Sequence, residues 1–212
     1  MTERGKFITL EGGEGAGKTT LLNGLRDYLD RRGARLLQTR EPGGTRLGEA
    51  ARAILLDPAM RGMCAESELL LMFAARAQLV REVIEPALAA GQWVLSDRYV
   101  DASYAYQGGG RGQPLARIAE LERWTCAGLV PDLTLLLDLP VAQGRARAAG
   151  RGPADRIEVE ADAFFERVRE SYRARAAAEA GRFAVLDASA APAQVLAAAQ
   201  KALAQLFDGS PA

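Results

Sequence analysis

The stretch Gly12-Gly13-Glu14-Gly15-Ala16-Gly17-Lys18-Thr19-Thr20 constrains this chain more than any other. It satisfies the phosphate-loop pattern G-x-x-x-x-G-K-[ST] without a gap. Glycines let backbone N–H groups turn inward around phosphate oxygens, with no Cβ in the way. The helix that starts at the end of the loop points its positive dipole end at the same anion. Lys18 can then reach terminal phosphates, and the Thr19 hydroxyl can ligate Mg²⁺. Context agrees: Phe7-Ile8-Thr9-Leu10 reads as a short strand before the loop, and Leu21, Leu22, Leu25 and Leu29 follow at helical spacing. The only lysines are Lys6, Lys18 and Lys201, in a chain whose basic residues are mostly arginine. A lysine at position 18 is therefore a requirement of the loop rather than a habit of composition.

Beyond the loop, a helix is predicted to about Arg32, closed by Gly33, and a strand over Arg35 to Thr39. Arg40-Glu41-Pro42-Gly43-Gly44-Thr45 is rich in turn formers. A helix from Leu47 to Leu56 stops at Asp57-Pro58, residues Met60 to Ala65 read as a loop, and a long helical pattern spans Ser67 to Ala90, interrupted at Pro86. Trp93 to Asp97 and Asp132 to Asp138 are apolar strands of the kind buried on both faces of a parallel sheet. Between them lie a polar stretch, Tyr99 to Pro114, and a helix from Pro114 to Ala127. Helices over Val141 to Ala149, Glu160 to Ala180 and Ala193 to Phe207 and a short strand over Phe183 to Leu186 complete the pattern. Strands alternating with helices predict one doubly wound α/β domain with ligands at the carboxyl ends of the strands.

Several side chains near those strand ends carry chemistry. Asp97 closes a buried strand, where a carboxylate can hold Mg²⁺ or pair with Arg98 at the surface. Arg98 suits a bidentate grip on a second phosphate. Glu14 is repulsive to bound phosphate and makes better sense as an acceptor for a substrate hydroxyl or as a support for the metal site. Arg147, Arg151 and Arg156 surround Gly150 and Gly152-Pro153, which reads either as a mobile lid or as a solvated, arginine-rich helix end. Arg76 sits one turn from Met72 and beside Phe73 in an apolar stretch, and a buried guanidinium needs partners, a nucleobase carbonyl among them.

Composition narrows the chemistry. The chain has 27 basic and 27 acidic residues and no net charge, hence no electrostatic footprint for a nucleic acid polymer or an anionic membrane. Histidine is absent, which excludes His-based triads and His zinc sites. Cys64 and Cys126 form no metal or disulfide pattern, so a reducing cytoplasm is expected. The guanine signature Asn-Lys-x-Asp of GTPase switches does not occur. A DNA-partitioning ATPase would want a second lysine early in the loop, where Gly13 stands.

Taken together, seven collinear pieces resemble bacterial thymidylate kinases: Glu11 to Thr20, Thr39-Arg40-Glu41-Pro42-Gly43-Gly44-Thr45, Phe73-Ala74-Ala75-Arg76-Ala77-Gln78, Asp97-Arg98-Tyr99, Ala105 to Gly112, Pro131 to Thr134, and Asp155-Arg156-Ile157-Glu158. The resemblance implies a P-loop NTPase-type parallel sheet of about five strands, a single nucleoside monophosphate kinase domain over 1–212, and a lid at about 144–157. It implies transfer of the γ-phosphoryl of ATP to dTMP with Mg²⁺, in a homodimer. It puts ATP on residues 12–20 and Mg²⁺ near Thr19 and Asp97. It puts the dTMP phosphate on Arg98 and Arg52, the sugar near Glu14 and Tyr106, and the base near Pro42, Met72, Phe73, Arg76, Ser103 and Gln107. Relatives differ in where they keep a catalytic arginine. Gly15 stands at the loop position here, so the resemblance assigns that role to Arg151 in the lid. An aromatic residue usual four positions before the base-binding arginine is replaced by Met72, leaving Met72 or Phe73 to lie on the base.

Overall fold

A computed structural model of the chain describes residues 3–149 and 154–207. Five parallel strands form one sheet in the order β2-β3-β1-β4-β5: β1 Phe7–Gly12, β2 Leu36–Arg40, β3 Trp93–Asp97, β4 Leu133–Asp138 and β5 Phe183–Asp187. The central strand, β1, is buried at every position, as a strand covered on both faces of a parallel sheet should be. Successive side chains still go to opposite faces. Ile8 and Leu10 pack with Leu135 and Leu137 under helices α1 (Lys18–Arg31) and α9 (Pro192–Phe207). Phe7 goes the other way, into a cluster with Leu69, Phe73 and Leu79 of α3 (Ala65–Leu79).

Register decides where chemistry can happen. Leu10 is opposite Asp97 and Arg40 is opposite the same aspartate, so the ends of β1, β2 and β3 form one rim. The strand order reverses direction at β1, between β3 and β4, and the phosphate loop emerges at that point. Helix α2 (Arg46–Leu56) starts at Thr45, whose hydroxyl accepts the Gly48 N–H at 2.9 Å, an ordinary N-cap that also orients the Arg40–Gly44 turn.

One element differs from the sequence expectation, and one stretch left unassigned takes regular structure. The helix after α3 is not broken at Pro86. Residues Val80–Ile84 take a π-helical turn, the Glu85 N–H reaches back to the Val80 carbonyl, and α4 (Glu85–Ala89) continues with Pro86 in its first turn. The wider turn carries the backbone past the missing N–H of proline. The stretch after β3 is also helical: α5 (Val100–Ser103) runs into a second π-helical segment, Tyr104–Gly110. Its glycines permit close packing, since a Cβ on Gly109 would lie 2.8 Å from the Arg167 carbonyl of α8 (Asp162–Ala178). The remaining helices are α6 (Leu115–Thr125) and α7 (Val141–Ala148). Among the described residues no helix is long and apolar enough to cross a membrane.

Candidate active site

A cleft of about 550 Å³ opens at the carboxyl ends of β1, β2 and β3. The phosphate loop forms its floor from Glu14 to Thr20. Gly12, Gly15 and Gly17 all have positive φ, a conformation a side chain would strain. Gly15 has a further reason to lack a side chain: a Cβ there would lie 2.1 Å from the Gly144 carbonyl oxygen in α7. The contact is reciprocal, because a Cβ on Gly144 would lie 2.3 Å from the Glu14 carbonyl oxygen. Loop and helix thus meet backbone to backbone.

Lys18 curls over the loop and donates to the Gly12 and Gly13 carbonyls, both at 3.1 Å. Burial in the cleft, with the Arg98 charge beside it, pulls its ammonium down to about 8, against the opposing attraction of Asp97, Glu14 and Glu11. Thr19 and Thr20 are exposed in the first turn of α1. Asp97 lines the cleft, and its buried Oδ1 has no hydrogen-bond partner.

Arg98 follows Asp97 with φ 74°, a strained value for a residue with a side chain. Its N–H bonds the Leu10 carbonyl at 2.9 Å and its carbonyl accepts the Ser96 hydroxyl at 2.7 Å. This twist sends the guanidinium back under the loop. There it donates to Gly12 O at 3.0 Å, to the Tyr172 hydroxyl at 3.0 Å and to the Tyr106 hydroxyl at 3.1 Å, and stacks on the Tyr106 ring. Nε takes part in none of these bonds. Behind the arginine lies Glu11, fully buried, which accepts the Tyr99 N–H and the Tyr172 hydroxyl, each at 2.7 Å. Burial, with the charge of Asp101, pushes its carboxyl up to about 8, while Arg98 and the two donors pull the other way.

The opposite wall is built by Arg40, Glu41, Pro42, Arg52, Met72, Ala102, Tyr106 and Gln107. Arg52 donates to the Pro42 carbonyl at 3.1 Å. Met72 lines the cleft, whereas Phe73, one residue and about 100° further round the helix, is in the core beneath the Arg76 guanidinium, 4.5 Å from the ring centre. Of the two side chains that could lie on a base, Met72 is the one at the cleft.

Arg76 does not line the cleft directly. It is fully buried, with Nε 2.8 Å from Glu41 Oε2, NH2 2.7 Å from the same oxygen, NH1 donating to Ser103 Oγ at 3.0 Å and NH2 to the Tyr99 carbonyl at 3.2 Å. Ser103 is fully buried with it. The Glu41 carboxyl is raised by burial, against the pull of Arg76. Arg76 therefore holds the cleft wall through Glu41. Gln107 is buried at that wall, with Nε2 donating to Glu68 Oε1 at 2.9 Å and Oε1 without a hydrogen-bond partner.

The arginines around the expected lid part company. Arg147 NH1 donates to the Ala188 carbonyl at 2.8 Å, beyond β5. Arg156 is buried, donating Nε to the Leu55 carbonyl at 2.8 Å and pairing with Glu68 at 2.7 Å. Neither of these contacts is to the phosphate loop. Arg151 lies outside the described residues. The turn that carries Arg156 does reach the cleft, through Asp155, Ile157 and Glu158. It is fixed by Asp155 Oδ1, which accepts the Ile157 and Glu158 N–H groups at 2.8 and 2.9 Å.

Sequence reasoning missed Glu11, Glu41 and Tyr172. Glu41 stood inside a quoted motif next to Pro42, and a carboxylate there in reach of a buried arginine was a usable signal. Glu11 ends an apolar strand, and a charge at such a place is itself unusual. Tyr172 gave no signal.

The thymidylate kinase family profile matches residues 10–199. A thymidylate kinase from Halorhodospira halophila is 53% identical over 209 residues, covering 98% of this chain and 97% of that protein. One from Alkalilimnicola ehrlichii is 56% identical over 202 residues, covering 95% and 93%. The crystal structure of thymidylate kinase from Ehrlichia chaffeensis superposes with a TM-score of 0.77 at 30% identity, covering 94% of this chain and 99% of that one.

Proposed function

The chain belongs to the thymidylate kinase family, and from that premise we propose how its cleft works. It is a nucleoside monophosphate kinase that phosphorylates dTMP to dTDP at the expense of ATP. In the proposed arrangement residues 12–20 cradle the ATP phosphates through their amides and Lys18. Arg98 and Arg52 take the phosphate of dTMP from the facing wall. The observation that carries this reading is the convergence of Lys18 and the Arg98 side chain on the phosphate loop, both bonded to the Gly12 carbonyl. Two anions bound there would each replace or extend one of those contacts, and donor and acceptor phosphates would meet above Gly12 to Lys18.

Catalysis of this kind is largely positioning and charge neutralisation, because the transition state is loose and the acceptor phosphate is already anionic. No general base is needed. Lys18 gains from bound phosphate, which raises its lowered pKa and keeps it charged. The residues proposed to hold Mg²⁺ are Thr19 and Asp97. The unpartnered Asp97 Oδ1 suits a hard cation, which when bound supplies neutralisation at the β- and γ-phosphates. Among the described residues no group of three acidic, cysteine or histidine side chains could hold a metal unaided, which fits an ion shared with substrate phosphates.

Glu14 and Tyr106 are proposed to face the sugar, where the Tyr106 ring, pinned by Arg98, would crowd a 2′-hydroxyl. Pro42, Met72 and Gln107 are proposed to face the base, and Phe73, Arg76 and Ser103 to support that wall from behind. Arg151 is the proposed arginine that neutralises transferring charge, within a lid of about 144–157 in a single domain. The assembly proposed is a homodimer, for which Leu70, exposed on α3, is an apolar side chain an interface would cover. A cytoplasmic site is proposed from the free thiols of Cys64 and Cys126. A coupled ADP-release assay with ATP, Mg²⁺ and a panel of nucleoside monophosphates tests the substrate reading. Turnover confined to dTMP and close analogues is expected; equal turnover of CMP or AMP would sink it.

A further inference from the structure

Glu68 lies in α3, fully buried and outside the cleft lining. Its two oxygens collect three donors from two parts of the chain. Gln107 Nε2 is 2.9 Å from Oε1, Arg111 Nε is 3.3 and 3.2 Å from the two oxygens, and Arg156 NH2 is 2.7 Å from Oε2. A carboxylate between two guanidiniums is ionised and accepts only. That fixes a choice an amide otherwise leaves open: the NH2 end of Gln107 must face Glu68, so its carbonyl end faces away. The carbonyl oxygen is buried, has no protein partner, and belongs to a residue that lines the cleft wall beside Met72 and Tyr106.

We propose that Glu68 is a positioning residue for base recognition, orienting Gln107 so that its Oε1 accepts the N3–H of a thymine-type base. A cytosine offers an acceptor at N3, so the same oxygen would meet a lone pair and reject it. Discrimination among pyrimidines then begins one layer behind the cleft. The same carboxylate anchors Arg156 in the Asp155–Glu158 turn, so the base wall and the turn that follows the lid share one fixed point. This assignment rests on the dTMP-kinase reading and adds to it a residue that touches neither substrate.

The test compares kcat and KM for dTMP and dCMP in the wild type, Glu68→Gln, Gln107→Leu and the double variant. A glutamine at position 68 can donate or accept, which frees Gln107 to turn over. An unpaired or mismatched buried group weakens binding about tenfold or more. For Glu68→Gln the dTMP KM is expected to rise by that factor with kcat retained, and the preference for dTMP over dCMP to fall with it. Gln107→Leu should lose the same preference, and the double variant should be no worse than Gln107→Leu alone. Overturning results are an unchanged preference in Glu68→Gln, an equal loss for both nucleotides, or additive losses in the double variant. Should Glu68→Gln not fold, as judged by its melting curve, Gln107→Leu decides: a retained preference overturns the assignment and a lost one supports it. Absence of dTMP turnover in the wild type would instead overturn the kinase reading itself.

Discussion

Gly15→Ala is a small change with a large predicted effect, because two separate costs fall on one methyl group. The first is conformational. Gly15 has φ 68°, and placing an alanine in the left-handed region costs about 1 to 2 kcal/mol. The second is steric. The new Cβ would sit 2.1 Å from Gly144 O, 2.7 Å from its carbonyl carbon and 2.9 Å from its Cα. Contact between such atoms begins near 3.5 Å, so α7 or the loop must retreat by roughly 1 Å. Gly144 has no side chain that could move instead. Overpacking of this size costs a further 1 to 3 kcal/mol or so, and a displacement of about 1 Å at a phosphate site can lower turnover by about a hundredfold. Gly33→Ala supplies the control: φ is 75° there and nothing lies within 4 Å of the added methyl. Urea unfolding and steady-state kinetics on both variants separate the costs. Gly33→Ala should lose about 1 to 2 kcal/mol and keep full activity, while Gly15→Ala should lose more stability and most of its kcat. Equal behaviour of the two variants would refute the idea that loop and α7 are locked by backbone contact.

Other expectations follow from the same geometry. Lys18→Ala should cut turnover by orders of magnitude with the fold retained, as read by circular dichroism and the ADP-release assay; near-normal turnover would remove the loop assignment. Because Lys18 titrates near 8 in the free protein, ATP affinity should weaken as pH rises through that value, and calorimetry at pH 8 to 9 should detect proton uptake on binding. The sign for stability is opposite. The folded value lies below the ordinary 10.5, so this group's contribution to stability rises between pH 8 and 10.5, and urea midpoints that fall through that window in wild type but not in Lys18→Ala would contradict it. Arg76→Met strands Glu41 in the core and should cost about 3 to 5 kcal/mol; adding Glu41→Gln should recover much of that, and no recovery would argue against the pair as the cause. Arg151→Ala should lower kcat far more than dTMP affinity, and a loss confined to affinity would remove its role in neutralising charge.

The sheet was legible because its evidence is local: an apolar run, a glycine-bearing turn and a leucine-spaced helix can be read within a few residues of one another. Pro86 misled for the opposite reason. A single residue signalled a break, yet one π-helical turn upstream carried the helix through it. The polar stretch holding the glycines of 108–110 gave no element by pattern, and those glycines are contact points for α6 and α8. In the cleft, side-chain type was readable but direction was not. Met72 and Phe73 differ by one step of a helix, and their roles at the wall or in the core depend on a phase set by packing. Nothing local announces the partners of Arg147 and Arg156, because Ala188, Leu55 and Glu68 are 41, 101 and 88 residues away in sequence. The Glu11–Tyr172–Arg98 network spans 161 residues, and nothing near either end announces the other.

Phosphoryl transfer itself can be watched directly by supplying ATP labelled at its γ-phosphate together with dTMP and Mg²⁺ and separating the nucleotides. Label should appear in dTDP at the rate at which ADP forms, and Lys18→Ala should abolish both together. Label released as inorganic phosphate, with dTMP unchanged, would contradict the account of a cleft that joins donor and acceptor phosphates above the loop at Gly12 to Lys18.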